Sequence, residues 1–115
     1  VLGKTNVPQA LLSMRCDNAL YGPTSNPWSA AHVTGGSSSG EGAAIASGIS
    51  PVGFGSDLGG SIRFPAAFCG VVGFKPTLDR WSNLGVLSAI PGQAFVRAQI
   101  GPLARTVADV SLLFA

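Results

Sequence analysis

Histidine, cysteine, charge and long apolar runs are all scarce in this sequence, and each scarcity closes off a class of function. One histidine, His32, and two cysteines, Cys16 and Cys69, stand among 115 residues. They leave no Cys/His/Asp cluster with the spacing of a metal site, so no metal or other cofactor is expected. The cysteines form no C-x-x-C pair and are too few for a disulfide framework, so both read as buried free thiols. The net charge is +2, and Lys4, Arg15, Arg63, Lys75, Arg80, Arg97 and Arg105 stand singly. Without a basic run or stripe, no nucleic-acid partner is expected. No apolar run reaches about 18 residues free of glycine, proline and charge, which excludes a membrane-spanning helix in this stretch. Nor does the chain open with a basic n-region followed by an apolar h-region.

The low charge carries a second implication. Charged residues make up 10% of the chain, against roughly 25% in an average soluble domain. A free-standing domain of this length buries somewhat under about 70% of its unfolded surface and should carry more charge than average, not less. The sequence starts at Val1, and its one methionine, Met14, is internal. It is therefore expected to be an interior piece of a longer chain.

What the sequence has in abundance is glycine, and eleven of its sixteen glycines fall between Gly35 and Gly73. This stretch, GGSSSGEGAAIASGISPVGFGSDLGGSIRFPAAFCGVVG, carries only Glu41, Asp57 and Arg63 as charges. Serines sit on glycine turns at Ser37 to Ser39 and at Ser61. Glycines flanking a polar residue permit positive φ and let a ligand approach main-chain N–H groups closely.

Around this centre the pattern predicts short elements. Val1 to Val7 reads as a strand stopped by Pro8, Ala10 to Met14 as a helical turn, and Cys16 to Trp28 (CDNALYGPTSNPW) as a loop. Ser39 or a neighbour caps a helix over Gly40 to Ser47 that Gly48 stops. Pro51 to Phe54 reads as a buried strand, Gly55 to Gly60 as a turn, and Ser61 to Phe68 as a helix with Pro65 in its first turn. Val71 to Phe74 is a further buried strand, and Gly85 to Ile90 and Ala94 to Ile100 are candidate strands. Thr106 to Asp109 matches a capping box in its weaker Asp form, followed by an apolar stripe of Val107, Val110, Leu113 and Phe114. Short helices alternating with short strands give the α/β class.

Several serine and glycine motifs fail on inspection. Gly36 to Gly40 fits G-x-S-x-G, the nucleophile elbow, but that site needs an acid and then a histidine after the serine, whereas His32 precedes it. A Ser-His-Asp site would need a histidine and an acid beyond Ala115. Lys4 and Lys75 stand in no phosphate-loop setting, and neither Gly40/Gly42 nor Gly53/Gly55 acquires the third glycine of a dinucleotide fingerprint. What remains is Ser37 and Ser61, 24 positions apart. A serine hydroxyl needs an adjacent base, and without histidine that base is a lysine of lowered pKa, reached directly or through a second hydroxyl. The Leu58-Gly59-Gly60-Ser61 turn, opening a helix, supplies N–H donors for a developing oxyanion. Glycine turns and helix caps without catalysis give much the same pattern, and chemistry alone leaves both readings open.

Residues 35 to 77 closely resemble the amidase signature of the amidase signature family, serine hydrolases with a Ser–cis-Ser–Lys triad. The likeness runs almost without gaps through both serine turns. TNVPQALLS at Thr5 to Ser13 and CDNALYGPTSNPW at Cys16 to Trp28 look like the branch of fatty acid amide hydrolases and fungal-type acetamidases. GPLARTVAD at Gly101 to Asp109 looks like the segment beyond the signature. The resemblance implies a partial amidase domain over residues 1 to 115, with the signature core at 35 to 77 and the N- and C-terminal parts outside it. It implies an α/β fold with a mixed sheet covered by helices.

Carried over by position, Ser61 matches the acyl-accepting nucleophile. Ser37 matches the bridging serine, whose preceding bond, Gly36–Ser37, is cis in the family. The N–H groups of Leu58, Gly59, Gly60 and Ser61 match the oxyanion hole. Asp57 and Arg63 are expected to brace that turn, and Ser38 to support the bridge. Two departures stand out. Ser39 replaces a residue that is often glycine, and the catalytic lysine is absent, its place in the family falling before Val1. Lys4 belongs to the GKTNVP segment, a different landmark, and is given no catalytic role.

The expected activity is cleavage of a small-molecule carboxamide, including fatty acid amides, through an acyl-serine, by the longer parent. The 115 residues alone are expected to be inactive. A glutamine-dependent amidotransferase subunit of the same family and a non-catalytic member are the alternatives. Phe64 and the Ala89 to Leu103 stretch look less like the amidotransferase branch. The compartment is read as cytoplasmic or membrane-associated, and membrane attachment and oligomeric state have no signature in these residues.

Overall fold

The computed structural model describes residues 1–86 and 97–115. Helix α1 spans Ser39–Ala46, strand β1 Val52–Asp57, helix α2 Arg63–Cys69, strand β2 Val72–Gly73, strand β3 Gln99–Ala104 and helix α3 Val107–Phe114. β3 lies between β1 and β2 and pairs antiparallel with both, so Ala104 faces Val52 on one side and Val72 on the other. The helix-covered sheet and the α/β class are as the sequence implies, and the pairs within this piece are antiparallel.

The core is Ile45 from α1, Ile62 at the entry to α2, Ala66 from α2 and Leu103 from β3, with Val71 packed alongside. Ile45, Ile62 and Leu103 are fully enclosed, each stabilising the fold by about 1.5–3 kcal/mol. Small residues let the layers approach this closely. A Cβ on Gly42 would stand 3.1 Å from Pro65, and one on Gly40 would press into the Asn6 main chain. Pro65 falls in the first turn of α2, where its missing N–H costs nothing.

Several boundaries differ from those the sequence implies. β1 runs on through Asp57, because Gly55, Ser56 and Asp57 each find a partner on β3. The turn is therefore confined to Leu58–Ile62, α2 starts two residues late, and Phe54 is exposed rather than buried. No strand forms at residues 1–7. There Asn6 accepts the Gly40 N–H through its carbonyl and its side chain donates to Gly22 and Thr24, which docks the segment as a loop. The turn near Ala10 is a 3-10 turn at Gln9–Leu11. The strand at 71–74 shortens to Val72–Gly73. Gly85 and Val86 lie outside any strand, and residues 87–90 and 94–96 of the two candidate strands lie outside the described residues. The second of those strands begins at Gln99 and continues to Ala104.

The α3 cap is as expected, with Thr106 Oγ1 accepting the Asp109 N–H at 3.1 Å. Its stripe is narrower than expected, since Val110 is buried, Leu113 and Phe114 are half-buried and Val107 is exposed. Phe114 meets the rings of Phe74 and Trp81 at 5.0 and 5.3 Å between centroids. Both cysteines are buried and free. No helix among the described residues is long and apolar enough to cross a membrane.

Candidate active site

The two serine turns meet through the main chain. The Ser38 N–H donates to the Ser61 carbonyl at 3.1 Å. The first turn leads into α1 and the second joins β1 to α2, so this single bond couples both helix starts. Glycine makes the approach possible. Gly35, at φ +73°, lies where a Cβ would come within 2.9 Å of the Phe64–Pro65 main chain, and a Cβ on Gly55 would overlap the Ser38 side chain. The Gly36–Ser37 peptide bond is cis, the isomer the resemblance implies. Ser38 occupies the cap position of α1 without a side-chain cap bond, and the buried Ser39 hydroxyl has no partner among the described residues.

Asp57 organises the second turn. It is fully buried, and its carboxylate accepts from the N–H groups of Gly60 at 2.7 Å, Ile62 at 3.1 Å and Arg63 at 3.3 Å. The Arg63 guanidinium adds Nε and Nη2, each at 2.9 Å. Burial alone would raise this carboxyl. The Arg63 side chain and the amides of Ile62, Gly60 and Arg63 outweigh burial and hold it below its ordinary value. Asp57 and Arg63 thus tie the two ends of the Leu58–Ile62 turn together. Of the four N–H groups expected to form an oxyanion hole, that of Gly60 is engaged by Asp57 in this structure. The N–H groups of Leu58, Gly59 and Ser61 have no partner among the described residues.

Ser37 and Ser38 line a cavity of about 520 Å³ together with Thr5, Glu41, Phe54 and Val86; Ser61 is not on its wall. Thr5 Oγ1 donates to Glu41 Oε2 at 2.8 Å. Lys4 also lines this cavity with Ser37 and Ser38. Among the described residues, no hydrogen bond joins the hydroxyls of Ser37 and Ser61. His32 lines a different cleft with Trp28 and Phe68.

Comparison with known proteins decides the family. The Amidase family model matches residues 1–115. The chain belongs to the amidase family. It is 53% identical over 108 residues to fatty-acid amide hydrolase 1 of Sus scrofa, covering 94% of this chain and 19% of that protein. It is 47% identical over 113 residues to a glutamyl-tRNA(Gln) amidotransferase subunit from Methanosarcina acetivorans, covering 98% of this chain and 23% of that one. A solved structure of fatty acid amide hydrolase superposes with a TM-score of 0.89 at 45% identity, over 95% of this chain and 19% of the other. The chain thus spans about a fifth of the length of these amidase-family relatives.

Some residues that shape this candidate site gave little signal in the sequence. Gln99 is completely enclosed, and its one hint is an amide within an otherwise apolar β3. Asn6 and Thr5 dock the N-terminal segment on α1, and nothing in their local pattern marks them. The Phe64 ring covers Gly60, a contact between near neighbours in sequence that a helix start makes foreseeable.

Proposed function

We propose that this chain is the serine-bearing centre of a longer amide hydrolase, a partial amidase domain whose remaining N- and C-terminal parts lie outside residues 1–115. The observation that carries this reading is the Ser38-to-Ser61 main-chain hydrogen bond. It joins the turn carrying Ser37 to the turn carrying Ser61, while Asp57 fixes the latter, an arrangement that supports a two-serine site.

In this reading Ser61 Oγ attacks the carboxamide carbon, and its proton passes to Ser37 Oγ. Ser37 hands its own proton to a lysine from outside this chain. The carbonyl oxygen, now anionic, takes N–H bonds from Leu58, Gly59 and Ser61. The lysine proton returns through Ser37 to the leaving nitrogen as the C–N bond breaks, and water then cleaves the acyl-Ser61 ester. The cavity beside Ser37 is the space through which the lysine reaches it, and Ser38 supports the bridge through its main chain.

The substrates are small-molecule amides, with long-chain fatty acid amides the class favoured. The identity with the pig hydrolase supports this, as does the partly exposed Phe64 ring against Gly60, an apolar surface beside the nucleophile. Cytoplasm or a membrane surface is the matching compartment. The amidotransferase likeness favours a second reading, in which the protein releases ammonia from glutamine. Ammonia release by the full-length protein separates the two. A long-chain primary amide is turned over and glutamine is not; the reverse establishes the amidotransferase reading, and turnover of neither together with no fluorophosphonate label on Ser61 favours a non-catalytic member.

A further inference from the structure

We propose that Gln99 is a positioning residue whose buried amide holds residues 79–86 as one wall of the cavity beside Ser37. The inference rests on the roles proposed above for Ser37 and Ser61. Gln99 is fully enclosed and stands opposite Asp57 in the β1–β3 register. Its Oε1 accepts from the Asp79 N–H at 2.8 Å and from Asn83 Nδ2 at 3.2 Å. Its Nε2 donates to the carbonyls of Trp81 and Ile100, each at 3.2 Å. Every hydrogen-bonding position of the side chain is thereby used. Asn83 closes the knot by accepting the Ile100 N–H at 3.1 Å through Oδ1 and the Val86 N–H at 3.0 Å through its carbonyl.

Three of the four partners of Gln99 belong to the 79–83 segment, and that segment runs directly into Gly85 and Val86, which line the cavity with Ser37 and Ser38. The same strand end thus fixes two things at once. Through the β1 pairing it sets Asp57 and the turn that Asp57 organises, and through its side chain it sets the wall near Ser37. The segment is held as well by the Trp81 ring, which meets Phe54 at 5.9 Å and Phe114 at 5.3 Å between centroids, and by the exposed Arg97–Asp79 pair; the bonds to the enclosed Gln99 are the ones that fix its main chain.

A wall at this place has a chemical consequence. The proton acceptor for Ser37 must be an uncharged amine, and a lysine loses its charge near neutral pH only where water is kept out. The titratable groups lining the cavity are Lys4, exposed on the N-terminal segment, and Glu41 of α1, which is bonded to Thr5. β1 and β3 contribute Phe54, Gly55, Ser56 and Ile100, none of them charged. A firm wall therefore acts mainly by excluding water. Releasing it admits water and moves the base toward its solution pKa.

The test is the pH dependence of fluorophosphonate labelling in the full-length protein. The Ser61 Oγ–P bond forms, fluoride leaves, and the serine proton passes through Ser37 to the base. In Gln99→Met the acidic limb of the rate moves up by about one pH unit while the plateau rate at high pH changes little. Asn83→Ala loses the donor to Gln99 and the acceptor for Ile100 without adding a charge; its limb moves the same way and carries the test if Gln99→Met does not fold. A lowered Tm with an unmoved pH profile in Gln99→Met, or in Asn83→Ala where Gln99→Met does not fold, overturns the inference and leaves the site reading intact. Wild-type protein that labels elsewhere than Ser61 overturns both.

Discussion

At Asp57 one carboxylate gathers five N–H groups, three from the main chain and two from Arg63. The Arg63 side chain is more than half exposed, so the ion pair itself is screened by solvent and the buried amide bonds dominate. Asp57→Asn is expected to cost about 2–3 kcal/mol, because an amide oxygen cannot serve all the donors the carboxylate serves. Arg63→Ala should cost clearly less, and thermal unfolding of the two variants checks the order. The Asp57 carboxyl is held below its ordinary value of 3.8, so the unfolded state binds the proton first on acidification. The stability this residue adds is fully present above that value and is lost as pH falls through the lower folded one. Cys69 behaves in the opposite sense. Burial pushes its thiol up to about 11 from 9.0, so the stability linked to it is intact below pH 9 and declines as pH rises toward 11 in a stability–pH profile. The bracing role of Asp57 and Arg63 was legible because both charges flank the turn in sequence. The engagement of the Gly60 N–H was not, since it depends on where β1 ends and how the carboxylate turns back.

Among the elements, α3 was the most legible, because a cap and an apolar stripe are local signals. Thr106→Ala should cost about 1 kcal/mol through the lost Asp109 N–H bond, measurable by denaturant titration. The strands were less legible. β1 extends to Asp57 only because β3 lies beside it, and β3 is far away in sequence; pairing partners decide strand ends where glycine-rich segments have weak preferences of their own. Val1 to Val7 shows the converse, with strand-like residues held as a docked loop by Gly40 and by the side chain of Asn6. Glycine in β1 also has a placement role that the sequence does not reveal. Gly55→Ala must displace the Ser38 side chain and so disturb the turn carrying Ser37. A drop in the Ser61 labelling rate of about 10²-fold is expected, the scale of an ångström-sized misplacement.

For the molecule as a whole, the exposed apolar side chains matter more than any single contact. Phe54, Phe64, Phe68, Trp28, Tyr21 and Leu84 are all at least 42% exposed, large apolar side chains left open to further contacts. Together with a span of about a fifth of its relatives, this supports the reading of these residues as the centre of a larger amidase domain. The low charge in the sequence already pointed there. The 115-residue chain alone is expected to hydrolyse no long-chain amide under conditions where the full-length protein does, because the lysine proposed to serve Ser37 lies outside it. The most direct check of the two-serine reading is fluorophosphonate labelling of the full-length protein, with the modified peptide mapped by mass spectrometry. Label on Ser61, abolished in Ser61→Ala and strongly reduced in Ser37→Ala, is the expected result. Undiminished label in Ser61→Ala, or label on Ser38, would contradict it.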